Sequence, residues 1–71
     1  MNQEIKLLDV VALLKAIPAE NLKKGQVGTV VEVFSDEDFE VEFVDKQGRT
    51  IAMLPLKSTD LLVLQYELER A

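Results

Sequence analysis

The fold is decided by the stretch Lys24-Gly25-Gln26-Val27-Gly28-Thr29-Val30-Val31-Glu32-Val33-Phe34. Its second half is rich in Val, Thr and Phe, which suit a pleated and half-buried surface, so it predicts a β-strand. Gly25 and Gly28 bracket a turn at its start, where glycine permits positive φ or the close approach of another backbone.

Strict alternation divides this strand into two faces that both carry apolar residues. One face holds Val27, Thr29, Val31 and Val33, and the other holds Gly28, Val30, Glu32 and Phe34. The strand is therefore either covered on both sides or bent sharply, with a bulge near Gly28. A bent strand shared between two halves of a sheet is how a small barrel closes.

Length and composition restrict the possible functions. The chain has 71 residues, which predicts one domain over residues 1–71, and a net charge of −5. A core of this size is marginal, and the absence of Cys excludes disulfides and thiolate metal sites. The absence of His removes the commonest general base and metal ligand. Self-association or a permanent partner remains as the source of extra stability.

Charge and hydropathy indicate the setting of the protein. The acidic balance argues against broad nucleic-acid binding, which needs a basic surface. The first residues lack the basic start of a signal peptide, and no apolar run reaches the ~18 residues of a membrane span. We expect a cytoplasmic protein with no membrane partner, no cofactor and no metal.

The segment Ile5–Ile17 is apolar apart from Lys6, Asp9 and Lys15, and two structures fit it. It is compatible with a helix, or with a strand from Asp9 to Ala16 that is buried on both sides. Pro18 ends either one, because it disfavours a helical conformation at Ile17. The strand is favoured, since the pattern downstream is that of an all-β domain.

The connection from Pro18 to Lys24 contains one large aliphatic residue, Leu22. We expect Leu22 to plug one end of the core, although a binding role for the loop is the alternative. Lys23 and Lys24 are the nearest approach to a basic patch, and two lysines are more often solvated than part of a phosphate site.

The clearest strand follows the polar turn Ser35–Asp38. From Phe39 to Val44 the residues alternate, with Phe39, Val41 and Phe43 on a core face and Glu40 and Glu42 on the other. Asp45-Lys46-Gln47-Gly48 fits a type I turn with Gly48 in the left-handed position, which closes a hairpin. The returning strand runs from Arg49 to Leu54.

The last part of the chain completes the all-β pattern. Pro55 should end the returning strand because it offers no N–H. A short helical turn over Leu56–Asp60 and a last strand over Leu61–Tyr66 follow, and residues 67–71 form a polar tail. Four positions are predicted to be core: Val27, Val31, Val41 and Phe43.

Three motifs in order resemble a bacterial family known as domain of unknown function 4926. They are Asp9-Val10-Val11-Ala12-Leu13, Leu22 to Val31, and Phe39-Glu40-Val41-Glu42-Phe43. The resemblance implies an SH3-like barrel of about five strands with a short helical turn before the last one, and it implies no activity. The segment Gly25–Val33 also resembles the KOW motif of ribosome-associated barrels, but acidic residues flank it here.

Two acidic clusters are the candidate binding residues: Asp36, Glu37 and Asp38, and Glu32, Glu40 and Glu42. If the central strand pairs with the Phe39 strand, Glu32 lies close to Glu40 or Glu42, and like charges there cost stability unless a cation compensates. A solvated acidic face, a docking surface for a basic protein and a divalent-cation site are the alternatives. The cluster lacks the spacing of an EF-hand loop.

The two terminal segments supply a candidate apolar surface. In an SH3-like barrel the first and last strands are neighbours, and together they hold more aliphatic residues than one inner face can bury. We expect a second copy of the chain or a partner chain to pack on the surface formed by Val11, Leu13, Leu62 and Leu64. The alternative is a thickened core, with Ile5, Leu7 and Leu8 folded over it.

Three functions compete. An acidic protein-interaction module, such as an inhibitor, an antitoxin-like partner or an assembly subunit, ranks first. A KOW-like RNA or ribosome binder ranks second, because the acidic balance opposes it. An enzyme or ligand binder with a carboxylate site ranks third, since Ser35 and Ser58 have no His to activate them.

Overall fold

Five antiparallel strands form a single sheet in the computed structural model, which describes residues 4–64. The strands are β1 (Val10–Leu13), β2 (Val27–Val33), β3 (Asp38–Val44), β4 (Thr50–Lys57) and β5 (Leu61–Val63). Their order across the sheet is β4-β3-β2-β1-β5. Short 3-10 turns at Pro18–Glu20 and Ser58–Asp60 are the only helical segments in the described part of the chain.

The sheet curls, because its two edge strands are consecutive in the chain. In a flat sheet of five strands the edges lie about 19 Å apart, at about 4.8 Å per spacing. The three-residue turn Ser58–Asp60 joins β4 to β5, and the Cα atoms of Lys57 and Leu61 cannot be more than about 15 Å apart. The all-β class and the turn before the last strand are confirmed. Closure into a complete SH3-like barrel stays a prediction.

The first strand is shorter than expected. Residues Val10–Leu13 pair with β2 on one side and with β5 on the other, so the strand interpretation of the N-terminal segment is confirmed and the helix is wrong. Leu22 is buried, in agreement with its predicted role in the core, and Ile5 is buried with it. Leu7 and Leu8 are exposed and do not thicken the core.

The central strand β2 bends at Val31. Its register with β3 shifts between Val30, which faces Val41, and Glu32, which faces Glu40. A bulge reverses the alternation of a strand, so Val30 points into the core and Glu32 points out of it. The predicted bulge therefore exists, but it lies three residues beyond Gly28.

The bulge and the glycine decide which residues of β2 are buried. Gly28 and Val30 face the core, whereas Val27 is 46% exposed and Val31 is only half-buried. The prediction that Val27 and Val31 are core positions is therefore wrong. Val41 and Phe43 are fully buried, as predicted.

The three glycines have different roles. Gly25 and Gly48 adopt φ of 90° and 82°, which favours glycine, and Gly48 closes the hairpin between β3 and β4 as predicted. Gly28 lies inside β2 and not in a turn. A Cβ at this position would lie 2.8 Å from the carbonyl oxygen of Glu42 and 2.8 Å from the ring of Phe43, so the close approach alone explains it.

Pro55 does not end the strand that contains it. It lies within β4, opposite Glu40, and the ladder continues through Leu56 and Lys57. Because β4 is an edge strand, the missing N–H of Pro55 can point away from β3 without breaking the ladder.

The C-terminal elements are shorter than predicted. The helical turn covers only Ser58–Asp60 of the expected Leu56–Asp60, and the last strand is described over Leu61–Val63. The predicted continuation of that strand through residues 65 and 66, and the polar tail of residues 67–71, lie outside the described residues.

The core is formed by side chains that alternate inward from the five strands, together with Ile5 and Leu22. Its buried members are Ile5, Val11, Leu13, Leu22, Val30, Phe39, Val41, Phe43, Ala52, Leu56 and Leu61. No buried side-chain nitrogen or oxygen among the described residues lacks a hydrogen-bond partner. None of the polar or charged residues that the structure describes is buried, so charged groups lie on the outer surface, where the candidate site must be sought.

Candidate functional site

The outer face of β3 carries three carboxylates in a row. Phe39, Val41 and Phe43 are buried, so the alternate residues Asp38, Glu40 and Glu42 lie on the outer face. Residues at alternate positions of a strand are about 7 Å apart along its axis. The predicted acidic face of this strand is therefore present.

Glu32 of β2 joins this row because of the bulge. It lies directly opposite Glu40 in the ladder, and on the other side of Glu40 the facing residue is Pro55. None of the three ion pairs among residues 4–64 involves Glu32 or Glu40. Two like charges thus lie side by side with no cation, an arrangement that destabilises a strand pair.

Asp38 differs from these two glutamates because it has its own cation. Its Oδ1 atom accepts a hydrogen bond of 2.7 Å from Lys57 Nζ, and its Oδ2 atom accepts one of 2.8 Å from Ser35 Oγ. The hydrogen bond from Lys57, followed by that from Ser35, lowers the pKa of Asp38. The same contact with Asp38 raises the pKa of Lys57. The main role of Asp38 is therefore to stabilise the pairing of β3 with β4 through its contact with Lys57.

The remaining predicted acidic residues are dispersed. Glu42 accepts a hydrogen bond from the hydroxyl group of Thr50 on β4. Asp36 and Glu37 are exposed in the turn between β2 and β3, and the carbonyl oxygen of Glu37 accepts a 2.9 Å hydrogen bond from the backbone of Ser58. Four of the six predicted residues, Glu32, Asp38, Glu40 and Glu42, thus lie on the outer face of the sheet, and of these only Glu32 and Glu40 are directly opposed.

Phe34 is a neighbour of this face that the sequence analysis did not include as a site residue. The backbone N–H of Phe34 donates to the carbonyl oxygen of Asp38 over 2.9 Å, and its side chain is 52% exposed. An aromatic ring at the strand end, two residues after Glu32, was the available signal. The acidic face therefore has an apolar margin at the hairpin end.

The described region holds no cluster of metal-binding side chains. Within residues 4–64, no group of three His, Cys, Asp or Glu residues is placed to hold a metal ion. A surface depression is lined by Ala19, Glu20, Asn21, Lys23 and Ile51. It lies apart from the acidic face. None of the helices in the described residues is long and apolar enough to cross a membrane.

The predicted apolar surface is half wrong. Val11 and Leu13 are buried in the core, whereas Leu62 is 48% exposed and Leu64 is half-buried. In β1 both sets of alternate residues are apolar, so the sequence does not show which set faces the core. The prediction placed the inward set on the outer face. Val10, Ala12 and Leu14 occupy the outer positions instead of Val11 and Leu13.

Comparison with known proteins identifies one family. No curated protein and no solved structure matches the chain significantly. A family model described as Domain of unknown function (DUF4926) matches residues 7–63, from the residues before β1 to the last residue of β5. This match covers most of the chain and every strand described above, so the chain belongs to the DUF4926 family.

Proposed function

We propose that this chain is a non-enzymatic protein-interaction module whose acidic face binds a basic segment of a partner protein. One observation carries the proposal: Glu32 and Glu40 lie directly opposite each other with no cation among the described residues. Such a pair costs stability in the free protein. A bound lysine or arginine would remove that cost and gain charge-assisted hydrogen bonds.

The arrangement also indicates the form of the partner segment. Glu40 and Glu42 lie on the same side of β3, about 7 Å apart. An extended chain places alternate side chains at the same spacing, so basic residues at positions i and i+2 would match them. The exposed ring of Phe34 would receive an apolar or arginine side chain at one end of the segment.

The neighbouring charges support this assignment of roles. Lys57 already neutralises Asp38, and Thr50 already bonds Glu42. Glu32 and Glu40 are therefore the carboxylates that gain the most free energy when a basic partner binds. We assign them the main share of the binding energy, with Glu42 and Phe34 next.

The test is a titration with two synthetic peptides of identical composition. One peptide alternates lysine with threonine, and the other groups all of its lysines at one end. We expect the alternating peptide to bind more tightly at low salt, measured by calorimetry. We expect Glu32→Gln/Glu40→Gln to weaken that binding about tenfold or more, as the loss of about two charge-assisted contacts implies.

The matched control is Glu4→Gln/Glu20→Gln, which makes the same charge change at two exposed positions that belong to neither β2 nor β3. This control should keep the affinity of the wild type. Equal weakening by both double variants would overturn the proposal, because it would show attraction to net charge alone.

A capture experiment then distinguishes a protein partner from RNA. Tagged protein is incubated with lysate of its source cell, with and without nuclease, at moderate salt. A stoichiometric protein that survives nuclease and is lost with Glu32→Gln/Glu40→Gln supports the proposal. If nuclease abolishes the capture, and the capture requires the exposed Lys23 and Lys24, the result would support KOW-like RNA binding in place of this proposal.

A further inference from the structure

A second outer surface, on the other part of the sheet, carries no charge. It consists of the outward residues of β2, β1 and β5 together with the residue that follows each of the last two strands. Its members are Val27, Thr29, Val10, Ala12, Leu14, Leu62 and Leu64. Charged residues form 30% of the chain, so seven adjacent uncharged positions on an outer face need an explanation.

The shape of this uncharged face is determined by three residues that lie side by side on β2, β1 and β5. Ala12 lies between Val27 on one side and Leu62 on the other in the two ladders. Val27 is 46% exposed and Leu62 is 48% exposed, and the small Ala12 side chain leaves a trough between them. A larger outward side chain on β1 of a second copy would fill this trough.

The charges at the two ends of the face have opposite signs. Where β1 ends, Lys15 follows Leu14, and the backbone bond from Gly25 to Leu13 brings Lys24 to the same end. Lys15 pairs with Asp60 at 3.4 Å, whereas Lys24 has no ion pair among residues 4–64. At the opposite end lie Asp9, which precedes β1, and Glu42, which faces Thr29.

We propose that two copies of the chain pair through this uncharged face. The twofold axis lies in the interface, perpendicular to the strands, so that β1 of one copy runs antiparallel to β1 of the other. The lysine end of one copy then meets the acidic end of the other. This axis places β1 of one copy over β1 of the other, so Val10 of each fills the trough at Ala12 of its partner when the axis crosses β1 between these two residues. An isologous contact of this kind closes after two copies.

The charge pattern favours a second copy over other occupants. A chain with a net charge of −5 repels itself over most of its surface, and this face is where two copies meet without like charges between them. A basic partner would gain nothing from a surface without carboxylates at its centre. Glu42 lies at the boundary between the two surfaces, but Glu32 and Glu40 lie outside the paired face, so pairing leaves these two carboxylates available to the partner proposed above.

The size of the face determines how strong the pairing is. Three strands about 4.8 Å apart and five residues long cover roughly 230 Å² of sheet. Standard stable interfaces bury about 800 Å² on each partner, so a weak dimer that forms only at high protein concentration is expected.

The test is sedimentation equilibrium from about 10 µM to about 1 mM. We expect the wild type to rise from its monomer mass of 8.0 kDa towards twice that value. Leu62→Lys and Val27→Lys should each stay at the monomer mass across the range, with circular dichroism reporting whether each variant is folded. The matched control is Met53→Lys, a 52% exposed position on β4 with the same charge change, which should associate as the wild type does.

Two results would overturn the proposal. One is a wild type that stays at 8.0 kDa up to about 1 mM. The other is a Met53→Lys variant that loses association together with the two variants on the face, since association would then depend on charge and not on this surface. Lys24→Glu separates the electrostatic part: it should weaken association at low salt and lose its effect at about 0.5 M, where screening acts within a few Å.

Discussion

At the residue scale, Phe43 is the position where the sequence pattern and the structure agree most closely. Its side chain is fully buried on the inner face of β3. The ring lies so close to Gly28 that a Cβ atom added there would be 2.8 Å from it. Truncation removes a large apolar side chain and leaves a cavity, so we expect Phe43→Ala to cost about 3–5 kcal/mol of unfolding free energy. Urea denaturation followed by circular dichroism measures the loss.

The control for this truncation is Phe34→Ala, which removes the same atoms at a 52% exposed position. We expect a change within about 0.5 kcal/mol there. A cost below about 1 kcal/mol for Phe43→Ala would mean that the inner and outer faces of β3 are assigned the wrong way round.

Gly28 makes a different prediction, because its role is spatial and not conformational. An added methyl group would meet both the Glu42 carbonyl oxygen and the Phe43 ring at 2.8 Å, and the carbonyl belongs to a paired strand that cannot give way easily. We expect Gly28→Ala to destabilise the protein by about 1–3 kcal/mol, as overpacking does. The measurement is again the urea midpoint with an unchanged slope.

Overpacking and cavity formation oppose each other at this contact. In Gly28→Ala/Phe43→Leu the smaller side chain makes room for the new methyl group, so the double variant should be more stable than the sum of the two single changes predicts. Strict additivity would contradict the close contact between Gly28 and Phe43.

At the element scale, the contrast between β3 and β2 shows what the sequence can predict. In β3 apolar and acidic residues alternate, so only one phase buries the aromatic rings, and the prediction of Phe39, Val41 and Phe43 as core-facing was confirmed. In β2 both phases are apolar, and a bulge at Val31 reverses the alternation within the strand. No local pattern places such a bulge, because its position depends on the register with the neighbouring strand.

The candidate site followed the same rule. The sequence predicted that Glu32 lies near Glu40 or Glu42 if β2 and β3 pair, and the structure pairs these strands with Glu32 opposite Glu40. In the apolar surface, two of four residues were misplaced, since Val10 to Leu14 is apolar throughout and its phase is set by pairing with β2 and β5. The contact between Lys57 and Asp38 joins residues 19 positions apart and has no signal in either segment alone.

The hairpin between β3 and β4 yields a pH-dependent prediction. Asp45 Oδ1 accepts hydrogen bonds of 2.9 Å from the backbone N–H groups of Gln47 and Arg49, and Oδ2 accepts one of 2.9 Å from Arg49 Nε. These bonds, the backbone bond from Arg49 above all, lower the pKa of Asp45 below its ordinary 3.8. A lowered carboxyl pKa contributes stability above the unfolded value, and this stability is lost as pH falls through the folded value.

Asp45→Asn should therefore have a lower Tm than the wild type at pH 7, and the difference should shrink as the pH falls below about 4. At low pH both side chains are neutral, so the wild type loses the advantage of the charged acceptor. Thermal unfolding at a series of pH values measures the two curves. Asp36→Asn, at an exposed position in the preceding turn, is the control for removing a carboxylate; a gap that widens on acidification would contradict the prediction for Asp45.

At the scale of the whole molecule, the curvature of the sheet follows from the way its strands are connected. The short turn between β4 and β5 forces the sheet to curl, and the curl separates the acidic outer face on β3 from the uncharged outer face on β1. The alternation of apolar and polar residues predicted the class of fold, and the net charge predicted an acidic surface. It did not predict that charge and apolar surface are segregated on different parts of one sheet, because that depends on the strand order.

The net charge makes the last prediction. The chain carries −5, and in each of the three ion pairs among the described residues the lysine or arginine is exposed to solvent, so each pair contributes little. Repulsion among carboxylates, including Glu32 and Glu40 on facing positions of β2 and β3, should therefore dominate the response to salt. Since the screening length falls from about 30 Å at 0.01 M to about 10 Å at 0.1 M, we expect the Tm to rise on adding sodium chloride.

The expected rise from 0.01 M to 0.5 M sodium chloride is about 2–5 °C, because about 1 kcal/mol shifts the Tm of a domain of this size by roughly 4–8 °C. Glu32→Gln/Glu40→Gln should begin at a higher Tm and rise less, whereas the matched Glu4→Gln/Glu20→Gln should resemble the wild type more closely. Differential scanning fluorimetry at a protein concentration below the dimer range keeps association out of the measurement. A Tm that falls with salt would mean that the ion pairs of Lys15, Arg49 and Lys57 outweigh the repulsion. The acidic pair would then not be the unfavourable arrangement on which the binding proposal depends.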